Sequence, residues 1–185
     1  PRININSILL PDGRTVITVG GPLQPMTAAG QHEVSEAILE MASESGTPQL
    51  LVLAGLAAGT DDREIHVICA DAEVRKNLEG NDIPVSREHP KAGMIGIAGL
   101  LISLSPLYGV PAVGLVAETI GASTDVLAAD RLASWIGAGL DLPLDLDLDS
   151  TEETARKLME TMEVGSTIEE TLGASESEGS SDFYV

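Results

Sequence analysis

The chain alternates short apolar runs, typical of strands, with longer segments whose apolar side chains recur every three or four residues, typical of helices. The first two runs, 2–10 and 14–20, flank Pro11-Asp12-Gly13, a turn in which Pro presets φ and Gly accepts a positive φ. They predict a β-hairpin. Further strands are predicted at residues 49–57, 64–70 and 112–117. The first and last of these are apolar without interruption, so we expect both to be buried on both faces of a sheet.

The segments with helical periodicity begin after residues that cap helix N-termini or end at glycines, which terminate helices. The predicted helices run from Thr27 to Gly46, from Asp71 to Gly80, and over residues 93–108 and 123–136. Alternating strands and helices predict an α/β fold with a layered sheet flanked by helices. The opening hairpin indicates a mixed sheet that is mostly, but not purely, parallel.

The composition changes after Gly139. Leu and Asp alternate over 140–149, a capping box of Ser150 and Glu153 follows, and an apolar stripe predicts a C-terminal amphipathic helix over 151–164. A Ser/Glu/Gly-rich segment then predicts a flexible tail. We therefore expect an α/β core domain, an acidic linker with the C-terminal helix, a disordered acidic tether and a terminal docking motif, at residues 1–140, 141–164, 165–182 and 183–185.

The charge balance excludes two classes of partner. The 185 residues carry 29 Asp and Glu against 10 Lys and Arg, a net charge of −19. Such a chain is repelled by nucleic acid phosphates and by anionic membrane surfaces. The longest apolar stretch, 94–104, is too short to span a bilayer. We expect neither nucleic acid nor membrane as partner.

The cysteine count and the first residues indicate the cellular compartment in which the protein works. Cys69 is the only cysteine, so the chain can form no internal disulfide or zinc ribbon, and a reducing cytoplasmic setting fits. Residues from Pro1 onward show no signal-peptide pattern. Because Met is absent from the first position, either the initiator was removed or a longer N-terminal segment precedes it.

The shortage of lysine favours a halophilic source. Only Lys76, Lys91 and Lys157 occur beside the large carboxylate excess. Concentrated cytoplasmic salt would screen the resulting self-repulsion. The alternative is an ordinary acidic protein. For a halophilic protein we expect the melting temperature to rise with KCl concentration, and a melting temperature that KCl does not raise would contradict this origin.

The extreme C-terminus carries a candidate binding motif. Phe183, Tyr184 and Val185 follow a purely polar segment and contribute two of the chain's four aromatic residues. Phe183 suits an apolar groove, the ring of Tyr184 packs while its hydroxyl finds a partner, and the terminal carboxylate suits a lysine in a pocket. The alternative is a chain end without function.

A second candidate lies between a predicted buried strand and the next helix, where α/β proteins commonly bind ligands. Its residues are Glu118, Thr119, Gly121 and Asp125. Glu118 and Asp125 could share acid–base work. Alternatively, Ser123 or Thr124 caps the helix, Asp125 favours its positive end, and Glu118 bonds loop amides or a neighbouring subunit. Without a positioned nucleophile or base, we favour this structural alternative, keep the four residues as a candidate ligand or interface loop, and assign no catalytic residue.

The histidines show no metal-ligand spacing. His32, His66 and His89 lie far apart, and we interpret His66 as a structural histidine of the sheet. We therefore expect neither a metal nor another cofactor.

In the order of its central motifs, the chain resembles the archaeal proteasome assembly chaperone family. The matching stretches are GMIGIAGLL at 93–101, YGVPAVGL at 108–115 and AET at 117–119, with Asp125 and Ala128-Ala129 downstream. The likeness covers roughly residues 14–140. The ending Phe183-Tyr184-Val185 is similar to the hydrophobic–tyrosine–any motif by which such chaperones and proteasomal activators dock on the α-ring.

The resemblance implies a homo-oligomeric chaperone without enzymatic activity. Its partners would be proteasome α-subunits, bound through the C-terminal tails, and it would promote or stabilise assembly of the α-ring. The alternative is a phosphorylase-like or hydrolase-like enzyme on an α/β scaffold that uses Glu118 and Asp125.

Overall fold

The computed structural model of the protein describes residues 2–58, 63–86, 94, 96–119 and 125–144. Their elements are β1 (Asn4–Leu9), β2 (Thr15–Gly20), α1 (Ala28–Glu44), β3 (Leu50–Ala57), β4 (Ile65–Cys69), α2 (Ala72–Gly80), α3 (Ile97–Leu104), a 3-10 helix (Ser105–Tyr108), β5 (Ala112–Thr119) and α4 (Val126–Gly139). The fold is α/β, with a mixed sheet flanked by helices, as the sequence predicts. None of the helices in the described ranges is both long and apolar enough to cross a membrane.

The opening segment is the predicted hairpin, but it forms a sheet of its own. β1 and β2 pair antiparallel, with Asn4 opposite Gly20 and Leu9 opposite Thr15. Gly13 adopts a φ of +89° in the turn, a conformation that a residue with a Cβ disfavours. Arg14 pairs with Asp12 and also donates to the carbonyl of Asp141 just after α4. The bond to Asp141 ties the hairpin turn to the body of the molecule.

The main sheet has the order β3-β5-β4. β5 lies in the centre, parallel to β3 and antiparallel to β4, so that Leu115 has Leu53 on one side and Val67 on the other. The mixed character that the sequence predicts is therefore confirmed, but its expected source was wrong. The antiparallel member of this sheet is β4, not a strand of the hairpin.

Helices cover both faces of the main sheet. On one face α2 and α4 pack on a cluster that includes Val67, Leu115 and Leu132. On the other face a second cluster includes Leu39 of α1 and Leu101 of α3 packed against Val116. Since successive residues of β5 point to opposite faces, the uninterrupted apolar run of this strand supplies both clusters.

The prediction that β3 is buried on both faces was wrong. Within the described residues β3 pairs only with β5 and is an edge strand. Val52 is buried on the α1 and α3 face, but Leu53 is 52% exposed on the opposite face. An apolar run predicts a strand, and it does not say which strand lies at the edge.

The helix caps agree with the sequence, whereas two boundaries differ. Thr27 accepts the N–H of Gly30, and Asp71 accepts those of Glu73 and Val74. The helix predicted over 93–108 divides into α3 and the 3-10 helix, whose first turn contains Pro106. Proline has no N–H to continue the α-helical bonding pattern. The helix predicted over 123–136 begins at Val126 and continues to Gly139.

The C-terminal predictions lie outside the described residues. They are the amphipathic helix over 151–164, the tether over 165–182 and the motif at 183–185. These remain predictions from the sequence, as does the division into domains.

Candidate functional site

Glu118 connects the end of β5 to the beginning of β4. Its N–H donates to the carbonyl of Glu64 at 2.9 Å, and its Oε2 accepts the N–H of Glu64 at 3.1 Å. Its Oε1 lies 3.2 Å from Nε2 of His66. The side chains of Glu118 and His66 are only 16% and 18% exposed. Of the two structural interpretations of Glu118, the bond to a loop amide is observed, and His66 is a structural histidine of the sheet as predicted.

The surroundings of Glu118 stabilise its ionised form. The backbone N–H of Glu64 has the largest effect in lowering the pKa of the Glu118 carboxyl, and His66 and the charge of Arg131 lower it further. Burial acts in the opposite direction. A carboxylate held in this way is a weak proton donor near neutral pH, because general acids need a pKa close to the working pH.

Arg131 joins α4 to the same corner of the sheet, a contact that the sequence does not predict. Its Nη2 donates to the backbone carbonyl of Glu118 at 2.6 Å. The available signal was that Arg131 is the single Lys or Arg in α4. Because the acceptor is a backbone carbonyl, which every residue has, the sequence could not show the pairing.

Thr119 packs against β3. Its carbonyl accepts the N–H of Ala58 at 3.1 Å. A Cβ built on Gly55 would lie 3.0 Å from the Thr119 methyl carbon, which is closer than ordinary side-chain contacts. Thr119 thus holds the C-terminal ends of the parallel strands β3 and β5 together, and the absence of a side chain at Gly55 makes room for its methyl group.

Asp125 is the N-cap of α4. Its backbone is extended, with φ −118° and ψ 91°, and its Oδ1 accepts the N–H of Ala128 at 2.9 Å. The cap is therefore Asp125 itself, and not Ser123 or Thr124 as the structural alternative had it. A carboxylate at this position also interacts favourably with the positive end of the helix dipole.

The structure brings only part of the predicted loop together. Glu118 accepts the N–H of Glu64, just before β4, whereas Asp125 accepts an N–H of α4. Gly121 and the docking residues Phe183, Tyr184 and Val185 lie outside the described residues. In the described ranges no group of three His, Cys, Asp or Glu side chains lies close enough together to hold a metal ion. The observed bonds give Glu118 and Asp125 structural roles, in the sheet and at a helix terminus.

The low pKa of Glu118 predicts a contribution to stability that depends on pH. A carboxyl whose pKa is lower in the folded than in the unfolded chain stabilises the fold above the unfolded value, here near 4.5. This contribution disappears as the pH falls through the folded pKa. We expect Glu118→Gln to lower the free energy of unfolding at neutral pH by about 1–2 kcal/mol, and by progressively less in acid.

Urea denaturation at a series of pH values measures this effect. Glu64→Gln is the matched control, since it removes the same charge from an exposed side chain of the neighbouring segment and keeps the backbone N–H that Glu118 accepts. If Glu118→Gln and Glu64→Gln gave the same pH profile, the bonds of Glu118 would not contribute as described.

One family model matches most of the chain. The model of the PAC2 family matches residues 1–164. The uncharacterised protein MJ1210 of Methanocaldococcus jannaschii is 30% identical over 118 residues, which are 63% of this chain and 45% of that protein. The chain therefore matches less than half the length of this relative.

The solved structures with a similar fold include those of three proteins whose descriptions concern the proteasome. PbaB of Pyrococcus furiosus is described as an archaeal proteasome activator. Its TM-score is 0.72 at 21% identity, and the match covers 88% of this chain and 70% of the PbaB chain. PbaA of the same organism is described as an archaeal homologue of proteasome-assembly chaperone. Its TM-score is 0.66 at 19% identity, and the match covers 85% of this chain and 72% of the PbaA chain. The proteasome-assembly chaperone homologue Rv2125 of Mycobacterium tuberculosis has a TM-score of 0.64 at 19% identity. The match covers 86% of this chain and 67% of the Rv2125 chain. At these identities the likeness concerns the fold, and together with the match over residues 1–164 it means that the chain belongs to the PAC2 family.

Proposed function

We propose that the protein is a proteasome assembly chaperone of the cytoplasm without enzymatic activity. It binds proteasome α-subunits through Phe183, Tyr184 and Val185 and promotes or stabilises assembly of the α-ring. The observation that carries the proposal is membership of the PAC2 family over residues 1–164, together with a fold shared with PbaA and PbaB. The C-terminal ending gives independent support, because it lies beyond the residues that the family model matches.

The chemistry of the C-terminus suits a docking role. The aromatic pair supplies a large apolar contact, and the carboxylate supplies a charge that a lysine in a pocket would pair with. A polar tether over 165–182 lets the motif reach a pocket at some distance from the core. In a homo-oligomer several tails would bind the same ring at the same time, so that modest individual affinities combine through a high effective concentration.

The bonds of the candidate loop support a structural role over catalysis. Both carboxylate oxygens of Glu118 have partners, the N–H of Glu64 and the ring of His66, and an oxygen of Asp125 accepts an N–H at the N-terminus of α4. An enzyme that used these groups as an acid and a base would need to release them from the bonds that they make. We therefore place the function at the C-terminal tail and treat this loop as part of the scaffold.

A pull-down with purified proteasome α-subunits tests the proposal. The full chain, a chain that lacks 183–185 and the Glu118→Gln variant are immobilised through the same N-terminal tag. We expect the full chain and Glu118→Gln to recover equal amounts of α-subunits, and the shortened chain to recover only background. Equal recovery by the full and shortened chains would overturn docking through the tail. Loss of recovery only with Glu118→Gln would place the binding site at the candidate loop.

A further inference from the structure

We draw no further inference here: the strongest candidate, the N-terminus of α3 at Gly96, which no side chain caps, is a helix N-terminus with no second observation among the described residues that points to a ligand.

Discussion

Replacing Leu115 by Ala is expected to lower the free energy of unfolding by about 3 kcal/mol. Leu115 is fully buried at the centre of β5, the strand on which the other two strands of the main sheet pair. Its side chain belongs to the cluster under α2 and α4. The truncation removes apolar contacts and leaves a cavity that the rigid strands on both sides prevent from collapsing.

The register of the sheet supplies the control. Leu53 is the partner of Leu115 across the pair of β3 and β5, but its side chain is 52% exposed. Leu53→Ala makes the same chemical change beside the first one, and we expect a loss below about 1 kcal/mol, because half of the side chain already contacts water. Urea denaturation in molar KCl measures both. Similar losses for the two variants would contradict the central position of β5 and the edge position of β3.

Local features of the fold could be predicted from the sequence, and the relations between distant elements could not. The caps Thr27 and Asp71 act on amides two or three residues away, so their roles are visible in a short stretch of sequence. The direction of β4 and the edge position of β3 depend on how separate segments pair. An apolar run predicts a strand but not the neighbours of that strand in the sheet, which is why β3 and β5 carried the same prediction and differ in burial.

The candidate loop shows the same difference between local features, which the sequence predicts, and contacts between distant elements, which it does not. The sequence placed Glu118 at the end of a buried strand and Asp125 at the beginning of a helix, and both positions are confirmed. The groups that hold Glu118 in place include the backbone N–H of Glu64, and the contact of Arg131 is to a backbone carbonyl. Backbone groups have no signature in a sequence, so these partners were found only once the strands were paired.

The second large effect is expected at the C-terminus. Adding one residue after Val185 should weaken binding to proteasome α-subunits at least about tenfold, because it moves the terminal carboxylate away from its partner while both aromatic rings remain. Val185→Ala is the matched control, since it keeps the aromatic pair and the carboxylate in place, and the docking motif accepts any residue at that position. Titration of labelled α-subunits measures both affinities, and equal affinities for the extended and unaltered chains would contradict capture of the carboxylate.

The most direct test is the rate at which purified α-subunits assemble into rings, followed by native mass spectrometry. Full-length protein should increase the yield of rings at early times, and the chain that lacks 183–185 should have no such effect. The account is contradicted if rings form at the same rate with and without the protein, or if the shortened chain accelerates their formation as well as the full chain does.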